Sequence, residues 1–150
     1  MCKRMLVALL MLSSCGGPNW PDDQFPRDTE VARVLFAEGG GGFRETCEAI
    51  VVELTDSAAA RLMGKAERRN GKLVIVPSDG WLSSPAPDPV GPYTYFKGAF
   101  GGCNNDGKHP LGDLDGALER PGSFYKVINH GEGIAIIVAR AKLAGFFYFG

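Results

Sequence analysis

The run of residues 47–76 constrains the fold of this chain most strongly, because strand, helix and strand signals follow one another within it. Residues 47–54 (CEAIVVEL) are apolar and β-branched at their centre, which predicts a strand. The next three residues, 55–57 (TDS), are typical of helix N-caps, and the AAARLMGKAER that follows has the composition of a helix. We expect that helix to end at residues 70–71 (NG) and a second strand to cover residues 72–76 (KLVIV).

The last third of the chain carries the most regular strand signals. Residues 124–129 (FYKVIN), 134–139 (IAIIVA) and 145–149 (GFFYF) are rich in β-branched and aromatic residues, with a turn expected at residues 130–133. Residues 93–100 (YTYFKGAF) alternate aromatic residues well enough for a further strand. We therefore predict a single α+β domain, in which a small antiparallel sheet of about four to six strands has one main helix packed on one face.

Four segments give weaker or irregular signals. Residues 31–36 (VARVLF) fit either a strand or a helical turn, and the EGGGG at 38–42 predicts a flexible loop after them. Residues 77–92 are rich in proline, which predicts a long loop. Residues 104–123 are polar and rich in turn-forming types, so no regular element is expected there.

The first fifteen residues, MCKRMLVALLMLSSC, have the layout of an export signal. Lys3 and Arg4 precede an apolar run that ends at Leu12, and this run is too short for a transmembrane helix, which needs about 20 apolar residues. Two small residues and Cys15 come next. This order of charge, apolar run, small pair and cysteine indicates secretion.

The segment Leu12-Ser13-Ser14-Cys15 resembles the lipobox of bacterial lipoproteins, in which a branched residue and two small ones lead to a cysteine. The resemblance implies that residues 1–14 are a signal peptide and that acyl chains such as palmitate are attached to Cys15. The protein would then be held on a lipid bilayer in the cell envelope. Gly16 stands where an aspartate is the familiar inner-membrane retention signal, so the periplasmic face of the outer membrane is favoured over the inner membrane.

The part of the chain after the predicted cleavage site amounts to one domain of acidic character. Residues 15–28 contain three prolines and little periodicity, which predicts a flexible tether, and residues 29–150 then form the domain. Lys3 and Arg4 are lost from the 16 basic residues while all 17 acidic ones remain, so the net charge becomes −3. We therefore expect no nucleic-acid partner.

Cys47 and Cys103 remain as one pair once Cys2 leaves with the signal and Cys15 carries lipid. In an oxidising envelope such a pair is expected to form a disulfide, which stabilises a fold by about 3–4 kcal/mol for a loop of this size. The alternative is a reactive thiol at Cys47 with His130 as its base, since such partners are often distant in sequence. That alternative would make the protein a cell-wall hydrolase or transferase.

No further motif predicts chemistry. His109 and His130 lack other donors at metal-ligand spacing, and a calcium-loop alignment places Gly102 where aspartate is needed. We therefore predict no catalytic residue, no metal and no cofactor.

Aromatic residues crowd the second half of the chain and are the remaining signal. Trp81, Tyr93 and Tyr95 form a candidate binding surface, with core packing of the same rings as the alternative. The sequence thus predicts an envelope lipoprotein that acts as a non-enzymatic binding or scaffold module with an envelope protein as partner. A carrier of a small apolar ligand, with its pocket behind the proline-rich loop, is the further alternative.

Overall fold

A computed structural model describes residues 20–27, 29–41, 46–64, 66–69, 72–75, 80–86 and 112–150. The regular elements are β1 (Val31–Gly41), β2 (Thr46–Leu54), α1 (Asp56–Gly64), β3 (Ala66–Arg69), β4 (Lys72–Ile75), β5 (Trp81–Ser83), α2 (Gly112–Glu119), β6 (Phe124–Ile128), β7 (Gly133–Val138) and β8 (Leu143–Phe149). Short 3-10 turns cover Asp22–Gln24, Asn129–Gly131 and Ala139–Ala141. None of the helices in these ranges is long and apolar enough to cross a membrane.

Six strands form one antiparallel sheet in the order β1-β2-β8-β7-β6-β5. The three strands predicted in the last third of the chain are confirmed as a meander of β6, β7 and β8. The strand predicted at residues 47–54 is confirmed as β2, which pairs with β8 from Cys47↔Phe149 to Glu53↔Leu143. The hairpin of β1 and β2 therefore joins the C-terminal meander, and the antiparallel sheet and the main helix of the predicted fold are confirmed.

Both faces of the sheet carry buried apolar residues, because alternate residues of a strand point to opposite sides. Ile50 and Val52 belong to a cluster that includes Ala58 and Leu62 of α1. Val51, between them, belongs to a second cluster, which contains the buried residues of α2: Leu114, Ala117 and Leu118. Burial of β2 on two sides explains why its sequence is a nearly continuous apolar run.

The helix predicted after Ser57 is confirmed as α1, and its N-cap is Thr55. The Thr55 hydroxyl oxygen accepts a hydrogen bond from the Ala58 N–H at 3.1 Å, so a backbone donor that lacks a partner within the helix is satisfied. The expected end of the helix at residues 70–71 is wrong, because α1 ends at Gly64. Glycine in a helix costs about 1 kcal/mol relative to alanine, which favours termination here.

The strand predicted at residues 72–76 is confirmed as β4, but it does not belong to the main sheet. It pairs with β3 in a separate hairpin, from Ala66↔Ile75 to Arg69↔Lys72. The residues between the two strands are Asn-Gly, the dipeptide most typical of two-residue hairpin connections. Strand β4 is therefore preceded by a strand, where a helix was expected.

Three predictions of irregular structure are wrong in part. The glycine-rich segment expected to be a loop belongs to β1 through Gly41, with Gly39 opposite Glu48 and Gly41 opposite Thr46. Within the predicted proline-rich loop, β5 pairs with β6, and the predicted turn-rich segment contains α2. In the glycine-rich and proline-rich segments, pairing with a strong neighbouring strand overrides the local propensity for a loop. The strand predicted at residues 93–100 lies outside the described residues.

The N-terminal segment packs on the domain through aromatic residues. The rings of Trp20 and Phe25 are stacked with centroids 4.1 Å apart, and the Phe25 and Trp81 rings are 5.7 Å apart. Phe25 is buried in the cluster that also contains Ile50 and Leu62. Part of the segment predicted as a tether is therefore held against the sheet.

Candidate functional site

Cys47 lies on β2 and its sulfur is disulfide-bonded. Cys47 is the only cysteine among the described residues, so its partner sulfur is not described, and Cys103 and Cys15 lie outside these residues. The pairing of Cys47 with Cys103 and the lipidation of Cys15 therefore stay predictions. A sulfur in a disulfide is not a thiolate nucleophile, so this state of Cys47 does not fit the hydrolase alternative.

His130 lies in the connection between β6 and β7, where an exposed turn was expected, and its side chain is exposed. Asn129 (φ 45°), His130 (φ 58°) and Gly131 (φ 112°) are three consecutive residues in the left-handed region. The carboxylate of Glu132 accepts hydrogen bonds from the Asn129 amide and, at 3.1 Å, from the Tyr148 hydroxyl. These bonds stabilise a backbone conformation that is uncommon for residues with a side chain.

The sheet register brings Cys47 and His130 to the same end of the sheet. Cys47 lies opposite Phe149, whose N–H donates to the Glu132 carbonyl oxygen at 2.8 Å. Strand β8 nevertheless lies between them. In the described part of the chain, no group of three or more histidine, cysteine, aspartate or glutamate side chains converges as a metal site would require.

Trp81 does not contribute to an exposed binding surface. Its side chain is only 5% exposed and packs in the core cluster beside Phe25. The Phe25 ring packs against it from the N-terminal segment. Tyr93 and Tyr95 lie outside the described residues, so this part of the predicted surface remains untested.

Strand β1 is instead the most open apolar element of the described structure. It is an edge strand 11 residues long, with β2 as its neighbour on one side and no described strand on the other. Val34 is 55% and Leu35 38% exposed, and the residues from Ala32 to Leu35 are all classed as exposed. A long edge with exposed aliphatic residues is a template for pairing with another strand.

The register of β1 with β2 is irregular where these aliphatic residues lie. It shifts between Val31 and Arg33 and again between Val34 and Phe36. Each shift adds a residue to β1 that has no partner on β2, which bends the strand locally. Phe36 packs against the cluster that contains α2, so the strand is fastened to the core beside its open part.

The charges along this edge are mainly acidic. Arg33 is ion-paired with Glu53 on β2. Glu38 lies opposite Ala49 and therefore points to the same face as Ala49. Glu48 is the residue before Ala49 on β2, so its carboxylate points to the other face. Neither forms an ion pair with a described residue. The open edge therefore presents apolar side chains in its middle and negative charge toward Gly41.

The start of β1 is tied to the N-terminus of α1 by Glu30. Its carboxylate is 2.8 Å from the Arg61 guanidinium and accepts hydrogen bonds from the Thr55 and Ser57 hydroxyls, each at 3.3 Å. The hydrogen bond and charge of Arg61 lower the pKa of Glu30; desolvation opposes them, and the Thr55 and Ser57 hydroxyls lower the pKa by smaller amounts. Its place near a helix N-terminus also suits a negative charge.

A second ion pair at this end of the sheet links α1 to the turn before β8. Lys142 is 2.5 Å from the Asp56 carboxylate, and its pKa is raised by that hydrogen bond and charge, with a smaller contribution from Glu53. The Lys142 carbonyl oxygen accepts the Leu54 N–H at 2.8 Å. These contacts link the first residue of α1 and the end of β2 to the turn before β8.

Sequence reasoning missed the open edge because residues 31–36 were ambiguous between strand and helical turn. An apolar run does not state whether a strand will be central or at an edge. That position is decided by β8, which pairs with the other side of β2 from nearly a hundred residues further along the chain.

Comparisons with protein-family models, with curated proteins and with solved structures found no match for this chain.

Proposed function

We propose that this protein is a lipid-anchored binding module of the bacterial cell envelope, which holds an extended segment of a partner protein along β1. The observation that carries the proposal is the exposure of Val34 and Leu35 on a long edge strand. A segment that adds as a further strand would pair with the outward backbone groups of β1 and cover these side chains. Main-chain hydrogen bonds would supply affinity, and the side chains would supply selectivity.

The charges of the edge define the chemistry of the partner segment. Arg33 is already neutralised by Glu53, whereas Glu38 and Glu48 have no described counter-charge. A complementary segment therefore has aliphatic residues in its middle and lysine or arginine at the end that meets Glu38. Opposite charges placed across paired strands stabilise the pairing by about 0.2–1 kcal/mol each.

The edge is supported by the parts of the fold behind it. Ala58 and Leu62 of α1 pack in the same cluster as Ile50 and Val52, so we infer that α1 packs on one face of the sheet beside β2. Glu30 fastens the first residues of β1 to that helix. A strand that is held in place before binding loses little conformational entropy when a partner segment adds to it.

The lipid anchor would hold this surface close to the bilayer. The anchor itself is proposed from Leu12-Ser13-Ser14-Cys15. Trp20 lies five residues after Cys15, and five extended residues span at most about 18 Å. Since Trp20 stacks on the buried Phe25, the domain would sit against the membrane surface. The partner segment would then belong to an envelope protein that approaches the same bilayer.

Site-specific photo-crosslinking in intact cells tests the proposed edge. A photoreactive amino acid replaces Leu35 on β1 or, as a matched control, Leu82 on the opposite edge strand, where the side chain is 44% exposed. We expect a discrete adduct with an envelope protein from position 35 and none from position 82. The crosslinked segment, made as a synthetic peptide, should bind the purified domain and lose affinity for the Val34→Lys variant.

Two outcomes would overturn this assignment. An adduct with the mass of two copies of the chain would make β1 a dimer contact, and equal adducts from both positions would indicate unspecific contact. The anchor is tested separately with Cys15→Ala, which should abolish palmitate labelling and release the protein from the membrane fraction. A Cys15→Ala protein that stays labelled would exclude this residue as the lipidation site.

A further inference from the structure

A cavity of about 370 Å³ opens where α2 ends and where β6 begins beside the end of β7. It lies at the end of the sheet away from His130. Its walls are Ala117, Arg120, Pro121, Gly122, Ser123, Val138, Arg140 and Ala141. Cavities that bind small ligands have volumes of about 300–1,000 Å³, so this one suits a ligand at the small end of that range.

Two arginines from separate elements reach this cavity. Arg120 follows α2, and its Nε donates a hydrogen bond to the Gly116 carbonyl oxygen at 3.1 Å. That bond fixes the guanidinium over the helix end and uses one of its five N–H donors. Arg140 lies in the 3-10 turn between β7 and β8 and forms no hydrogen bond or ion pair with a described residue.

Nearby cations differ from these two arginines because carboxylates already neutralise them. Lys142, two residues after Arg140, is paired with Asp56, and Arg61 is paired with Glu30. Arg120 and Arg140 have no carboxylate partner among the described residues. Two guanidinium groups that line one concavity, with no carboxylate partner among the described residues, favour a bound anion.

The remaining walls add a rigid base and apolar surface. Ser123 is buried; its N–H donates to the Ser84 hydroxyl at 2.9 Å, and its carbonyl oxygen accepts the Ser84 N–H at 2.9 Å. The backbone of this wall is therefore held by Ser84, the residue after β5. Ala117, Val138 and Ala141 contribute methyl groups, which favour a ligand with an apolar part beside its charge.

We propose that the cavity between Arg120 and Arg140 binds a small carboxylate that carries a short apolar body. A planar carboxylate accepts two parallel hydrogen bonds from a guanidinium, and its hydrocarbon part fits against the alanine and valine side chains. The site is separate from the open edge of β1, because strands β2 and β8 lie between β1 and β7. It would give the binding module a second ligand of low molecular mass.

Titration of the purified mature chain with sodium butyrate, at constant ionic strength and with NMR detection of backbone amides, tests the proposal. We expect saturable shifts at Gly122, Ser123 and Arg140, and at least a tenfold weaker affinity for Arg140→Gln. Arg120→Gln should weaken binding in the same direction. Arg27→Gln is the matched control, because Arg27 is exposed, has no ion pair with a described residue and does not line the cavity.

Inorganic phosphate and butanol separate the contributions of charge and apolar body. Butyrate should bind more tightly than either. Shifts that rise linearly without saturation, or an affinity that Arg140→Gln leaves unchanged, would overturn the site. Phosphate that binds as tightly as butyrate would overturn the requirement for an apolar body. Since both arginines are exposed, amide spectra of the variants should keep the dispersion of the folded protein and make these outcomes interpretable.

Discussion

The two edges of the main sheet are built in opposite ways. β5 has three residues, its Trp81 is buried against Phe25, and only Leu82 between its neighbours is largely exposed. β1 has 11 residues, and its exposed part includes two adjacent aliphatic side chains. A short, covered edge resists unwanted pairing, whereas a long apolar edge invites it. The difference places Trp81 of β5 in the core and leaves the middle of β1 exposed, which is why we propose β1 as the binding edge.

Replacing the large ring of β5 is the substitution expected to have the largest effect. Trp81→Ala removes a side chain that is 5% exposed and leaves a cavity beside Phe25. We expect a loss of about 3–5 kcal/mol in the free energy of unfolding, measured by urea denaturation. Leu82→Ala, at the next position of the same strand, should cost far less because its side chain is 44% exposed. Equal losses from the two variants would contradict the core role of Trp81.

The second largest effect is expected where β1 is tied to α1. Thr55→Ala removes the acceptor of the Ala58 N–H and a hydrogen-bond donor to Glu30. Loss of an N-cap costs about 1 kcal/mol, which urea denaturation resolves. Thr55→Ser keeps the hydroxyl and should retain most of the stability. Faster amide exchange in the first residues of β1 should accompany the alanine change, because Glu30 precedes that strand directly.

The contrast between the edges also explains what the sequence could predict. β2 and the meander of β6 to β8 were predictable because their β-branched and aromatic runs agree with their final environment. The N-cap Thr55 was predictable because helix caps depend on local chemistry. These elements need no knowledge of distant partners.

The features that could not be predicted depend on contacts between residues far apart in the sequence. Gly39 became part of a strand because β2 supplies its pairing partner, and Trp81 lies in the core with Phe25 of the predicted tether packed against it. Arg120 and Arg140 line one cavity because the end of α2 and the turn after β7 lie at the same end of the sheet, away from His130. The two arginines are twenty residues apart in the sequence, and neither this spacing nor the neighbouring residues predict that both line one cavity.

A charge at the centre of the open edge should change binding without changing the fold. Val34→Lys alters a side chain that is 55% exposed, so the free energy of unfolding should stay within about 0.5 kcal/mol of the original. Binding of the partner segment should fall strongly, because a lysine on an edge strand blocks pairing. Leu82→Lys on β5 is the control for added surface charge and should leave that binding intact. A loss of stability comparable to that of Trp81→Ala would show that Val34 belongs to the core.

The smallest expected effect concerns the pH dependence at the start of β1. Because Arg61 lowers the pKa of Glu30 in the folded chain, the ionised carboxylate stabilises the fold at pH values above its unfolded pKa. That contribution is lost as the pH falls through the folded pKa, and solvent screening keeps it small because Glu30 is exposed. Arg61→Gln should raise the pKa of Glu30 in an NMR titration, whereas Lys142→Gln, which breaks the pair with Asp56, should leave it unchanged. A Glu30 pKa that does not respond to Arg61→Gln would mean that the two hydroxyls, and not the guanidinium, hold the first residues of β1 against α1.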